Sequence, residues 1–179
     1  MNRSIAIAAG TALCAIAMLG ATGQRPRVSP HETTSAVVDG TRITIEYGRP
    51  SMRGRTIFGA LVPYDRVWCP GADEATVLNS ARPLRFGALR VPAGPHTIWM
   101  LPTADRWTLV VSKEPSGFHT QYHQDADLGR VALTKRAIDP PVEQLTFAIV
   151  QGRAGSGGTV TMTWEKTAVS ATFIVEPQG

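Results

Sequence analysis

The chain has little cysteine, little lysine and almost no helical periodicity. Two cysteines among 179 residues, Cys14 and Cys69, exclude a disulfide scaffold. Only 3 lysines stand beside 15 arginines, and these bases are scattered, which is not the footprint of a nucleic-acid binder. There is no G-x-S-x-G elbow and no Ser, His and Asp order that would mark a nucleophilic triad. The glycine-rich segment 152–158 lacks the Gly-Lys-Ser/Thr ending of a phosphate-binding loop and reads as a flexible hairpin tip. An apolar fraction of 43% excludes wholesale disorder, and the length excludes a multi-domain assembly.

What is present begins with a leader. Arg3 precedes an apolar stretch over residues 5–21, and Ala21-Thr22-Gly23 supplies a small-residue exit. Residues 1–23 read as a signal peptide cleaved before Gln24. One competing reading is an uncleaved anchor, for which about 17 apolar residues is near the lower limit. The other is a lipoprotein signal, against which stand the bulky Leu13 before Cys14 and the apolar residues after it. The expectation is an exported protein, periplasmic or extracellular, with no membrane span after cleavage. Loss of Arg3 would take the net charge from +4 to +3. Loss of Cys14 would leave Cys69 as a lone thiol, which in an oxidising compartment is expected to be buried.

Residues 24–31 form an exposed lead-in, and residues 32–176 a single domain. Strand signals dominate from there. Asp39-Gly40 tolerates positive φ at both central positions of a type I′ hairpin turn. After it Ile43, Ile45 and Tyr47 alternate with Arg42, Thr44 and Glu46, so one face is buried. Residues 48–63 are loop, in which Ile57, Phe58, Leu61 and Val62 form a short helical plug ended by Pro63. Short strands follow at 66–68 and 75–79. Leu84-Arg85-Phe86 and Leu89-Arg90-Val91 pair across a Gly87 turn. The near-continuous apolar runs 96–101 and 107–112 read as central strands covered on both sides. Residues 113–129 are irregular. Later strands are expected at 131–135, 142–150, 159–166 and 168–175. The fold class is all-β: an antiparallel β-sandwich or flattened barrel of about ten short strands with little helix.

The stretch YGRPSMRGRTIFGALVPYDRVWCPGADEAT, with Val91-Pro92-Ala93-Gly94, Trp107 to Val111, Pro141-Val142-Glu143 and Trp164-Glu165-Lys166-Thr167, resembles a secreted bacterial family. That family is labelled domain of unknown function (DUF) twenty-nine eleven. The resemblance runs from about Thr33 to Val175. It implies one β-rich exported domain and no established activity. The chain departs from the family pattern at Cys69 and Pro70, at Asp73 where the family has asparagine, and at Pro95-His96.

Four constellations carry candidate chemistry. Asp73 and Glu74 are adjacent carboxylates that would point to opposite faces of a strand; with His96 they are the catalytic candidates, as general acid or base. The competing reading has Asp73 shaping the turn and Glu74 pairing with Arg49, Arg53 or Arg55. Those three arginines could also bind an anion, because guanidinium binds carboxylate or phosphate bidentately; the competing reading has them hold the loop to the sheets by bonds to carboxylates and carbonyls. His119 and His123, with Asp125 nearby, are the metal-like group, though the spacing converges only on a helix. Tyr64, Trp68, Trp99 and Trp107 could form a sugar-stacking platform or sit in the core. The first reading is a non-enzymatic ligand-binding or envelope-interaction module. Its ligand-binding residues are Arg49, Arg53, Arg55, Tyr64, Trp68, Asp73 and Glu74. The alternatives are a hydrolase using Glu74 or Asp73 and a metal protein using His119 and His123. No cofactor and no nucleic acid are expected; the partner is a small molecule, a glycan or an envelope protein.

Overall fold

The computed structural model describes residues 28–177, so the expected leader at 1–23 and residues 24–27 of the lead-in lie outside the described residues. Nine strands follow in chain order: β1 His31–Val38, β2 Thr41–Gly48, β3 Val77–Ser80, β4 Leu84–Phe86, β5 Leu89–Val91, β6 Gly94–Pro102, β7 Trp107–Ser112, β8 Asp127–Gln151 and β9 Gly158–Val175. They form one antiparallel sheet in the order β1-β2-β3-β6-β7-β8-β9-β4-β5. Among the described residues the only helical element is a 3-10 turn at Gln124–Ala126, and no helix is long and apolar enough to cross a membrane.

The two tight hairpins follow from their turn residues. Asp39 and Gly40 take φ of 46° and 74°, the left-handed pair that a type I′ turn needs. β1 then pairs with β2 in unbroken register from Val38↔Thr41 to His31↔Gly48. β1 thus begins at His31, inside the expected lead-in. Gly87 takes φ 58° between β4 and β5.

β8 and β9 account for the difference between about ten expected strands and nine. Strands were expected separately at 131–135 and 142–150, yet β8 runs through both and through Pro140 and Pro141 over 25 residues. The ladder with β9 skips between Ala137 and Val142, so the prolines sit where no amide is required. β9 bends at Glu165, whose φ is 54°, and its two halves join strands read separately in the sequence. Segment 66–68 is no strand; Trp68 makes a single bridge to Met100.

The bend folds the sheet onto itself without closing it. Thr34 Oγ1 donates to the Phe147 carbonyl (3.0 Å) and the Leu145 amide donates to the Pro50 carbonyl (3.0 Å), laying the far half of β8 against the first hairpin. Ile43, Ile45, Leu109, Phe147, Met162 and Trp164 meet in the main core. A second cluster of Cys69, Ala75, Trp99 and Val110 covers the opposite face of β6 and β7. Both faces of these strands are therefore covered, as their apolar runs predicted. Cys69 is the buried thiol of that cluster, and burial pushes its pKa up from 9.0.

The glycine-rich tip is held in place. The Asp39 carboxylate accepts from the amides of Gly155 and Gly157, both at 2.8 Å, so the turn of the first hairpin latches the turn of the last.

Candidate functional site

The loop after β2 is anchored by its own arginine. Arg49 donates to Glu32 (2.9 Å), to the Leu145 carbonyl (3.2 Å) and to Thr146 Oγ1 (2.8 Å). Its carboxylate partner is Glu32, where the sequence pointed to Glu74, and its fork joins β1 to β8. Farther on, Ile57, Phe58 and Val62 plug the core, but through turns closed by a bridge between Phe58 and Val62 where a helical turn was expected, and Leu61 turns outward at 48% exposure. The plug is held from across the molecule: the Glu165 carboxylate accepts from the amides of Ile57 (3.1 Å) and Phe58 (3.5 Å). Phe58 then sits edge-on to Trp68, Trp107 and Trp164.

This scaffold leaves a cleft of about 370 Å³, open to solvent, beside the plug. Arg53, Arg55, Leu61, Trp68, His119 and Trp164 are among its lining residues. Arg53 takes φ 51°, and its amide donates to Glu143. Its guanidinium makes one long bond, to the Val28 carbonyl at 3.4 Å. Arg55 donates to the carbonyls of Met52 (2.9 Å) and Ser51 (2.8 Å). Among the described residues neither guanidinium lies in a salt bridge, and each keeps unused donors from its set of five. Trp68 is half-buried and stacks on the buried Trp164 at 6.1 Å, with 14° between the rings.

His119 joins this cleft from the irregular segment before β8. Its amide and its Nδ1 both meet the Asp73 carbonyl, at 3.1 Å and 2.6 Å. A carbonyl only accepts, so Nδ1 carries a proton, and in the tautomer with its single proton there Nε2 presents a lone pair. Asp73 provides that carbonyl from a left-handed backbone, φ 66°. Asp and Asn tolerate that conformation best among side chains with a Cβ, which suits Asp to this turn position.

The other candidates are distributed elsewhere. Glu74 lines a second depression with His31, Glu46 and Asn79, and its carboxylate lies 3.6 Å from His31 Nδ1. His96 is buried on β6, its ring nitrogens facing the carbonyls of Ser112 (2.9 Å) and Pro92 (3.2 Å). The structure therefore does not bring Asp73, Glu74 and His96 to one cavity. Tyr64 packs against the main core, and Trp99 and Trp107 are buried. His123 bonds Glu114 at 2.8 Å, away from His119, and Asp125 lies in the 3-10 turn. Among the described residues no group of three metal-ligating side chains converges.

The hydrogen bond and charge of Glu114 raise the pKa of His123 above its ordinary 6.5. The sign follows: a raised folded pKa adds stability that is full below 6.5 and is lost as pH rises through the folded value. The pair is exposed, so the contribution is small. An NMR titration of the histidine ring should give a His123 midpoint above 6.5, and Glu114→Gln should bring it back down.

Sequence reasoning missed Trp164 and the placement of His119. Trp164 belongs to a clean alternation that marks it as core, and its 1% exposure agrees; only the bend at Glu165 carries it to the cleft floor. His119 was grouped with His123 by spacing, whereas the turn at Asp73 determines where it points.

Fold and cleft together define a class: a single antiparallel β-domain with a basic, tryptophan-walled cleft formed by the loop after its second strand. The chain belongs to the family described as Protein of unknown function (DUF2911), whose profile matches residues 29–173. Searches of curated proteins and of solved structures return no match.

Proposed function

We propose that this protein is an exported, non-enzymatic binding module that takes a small anionic ligand in the Arg53–Arg55 cleft. One observation carries the reading: two guanidiniums line one cleft beside an indole, and every hydrogen bond they make among the described residues goes to a backbone carbonyl. A cleft of this size suits a ligand of one or a few rings.

The test is a thermal-shift panel of phosphate, sulfate, dicarboxylates, acidic and neutral sugars, and divalent metals. A ligand at a hundred times its Kd adds about 2.7 kcal/mol, a rise of several degrees in a domain of this size. The expected result is a shift with anions that Arg53→Gln removes. Arg53 is the cleaner variant, because its guanidinium holds only the long bond to Val28. An anion-induced shift that survives in both Arg53→Gln and Arg55→Gln would place the ligand elsewhere.

A further inference from the structure

We infer that the ligand of this cleft is an acidic pyranose, a sugar ring carrying a carboxylate, with His119 Nε2 accepting a hydrogen bond from one of its hydroxyls. The inference rests on the anion reading of the same cleft and narrows it by two further observations.

The first is the aromatic wall. Trp68 is only half-buried, with Trp164 stacked on one face and Phe58 at its edge, and its remaining surface lines the cleft. Leu61 and Val62 continue that apolar lining. Inorganic phosphate or sulfate would use the guanidiniums and leave this surface wet. A ring with an apolar face would cover it, and the C–H face of a pyranose is such a surface.

The second is the tautomer of His119. Its Nδ1 proton is committed to the Asp73 carbonyl at 2.6 Å, and its Nε2 has no protein partner among the described residues. A lone pair at that position asks the ligand for a donor. A carboxylate has none to offer, and an aliphatic dicarboxylate brings only more acceptors. A sugar acid supplies the anion, the apolar ring face and the hydroxyl donors together. The backbone of Asp73 is in the left-handed region where it presents this carbonyl, so the acceptor is oriented before any ligand arrives.

The experiment uses calorimetry on the protein with four probes: galacturonate, galactose, cyclohexanecarboxylate and 4-hydroxybenzoate. Galacturonate should bind more tightly than galactose, which lacks the charge, and than cyclohexanecarboxylate, which lacks the hydroxyls. His119→Ala should weaken galacturonate about tenfold, the value of one hydrogen bond, and leave cyclohexanecarboxylate unchanged. Arg53→Gln should weaken both. If cyclohexanecarboxylate binds as well as galacturonate, or His119→Ala weakens them equally, the sugar inference fails while the anion reading stands. Tighter binding of 4-hydroxybenzoate would replace the sugar by an aromatic acid and overturn the inference as well. If no acid binds and Arg53→Gln changes nothing, both readings fall.

Discussion

Gly48→Ala should destabilise the protein by about 3 kcal/mol or more, lowering the melting temperature by roughly 6–12 °C. A Cβ at this position would lie 2.0 Å from the Ala72 carbonyl oxygen and 2.8 Å from its carbon. The obstacle is backbone, so no rotamer change relieves it. Either β2 or the turn at residues 71–74 has to move, and both are fixed by neighbours. β2 is paired on both sides, to β1 and β3. The turn is held by the bond from Thr76 Oγ1 to the Pro70 carbonyl (3.0 Å) and by the clasp between Asp73 and His119. Ala72 also lines the cleft, so the substitution should weaken ligand binding in whatever fraction still folds. Urea unfolding of the variant beside the parent is the direct measurement. A midpoint unchanged within error would mean that the turn yields freely, and the cleft wall would then be soft.

Glu165→Ala should cost about 2–3 kcal/mol. Its carboxylate receives two amides of the plug, Ile57 at 3.1 Å and Phe58 at 3.5 Å, and the shorter bond carries most of the value. Ile57 is fully buried and Phe58 nearly so, which limits the water available to replace the lost acceptor. Glu165→Gln keeps one acceptor oxygen and should cost less than half as much. Denaturant melts of the two variants separate these contributions. Equal losses would assign the effect to the bend itself and not to the amide contacts.

The parts of the fold that local chemistry dictates were legible in the sequence. Asp39-Gly40 marked its turn because few other pairs tolerate two positive φ values in succession. The runs 96–101 and 107–112 marked doubly covered strands because neither contained the polar alternation of a wetted face. What distant residues decide was not legible. The first turns of β1, HETTSA, carry no strong apolar alternation, and only pairing with β2 makes them a strand. Segments 131–135 and 142–150 read as two strands, and the ladder's skip around the prolines between them, which lets one strand run through, could not be foreseen. Of the suggested ligand residues, Arg53, Arg55 and Trp68 share the cleft, while Arg49 anchors the loop behind it and Tyr64 packs against the core. His119 came to the cleft through a backbone carbonyl, a partner that side-chain spacing does not encode.

The latch between Asp39 and the amides of Gly155 and Gly157 joins positions 116 and 118 residues apart. The Glu165 contacts to the plug span 107 and 108 residues. The hairpin that leaves the ribosome first is therefore completed by the hairpin that leaves last. Topologies with such high contact order fold slowly, because long loops must close before their contacts form. A nascent chain that stops short of β9 has neither the latch nor the carboxylate that receives the plug. The first hairpin and the plug therefore gain these contacts only once β9 has docked, which ties the two ends of the described chain into one cooperative unit.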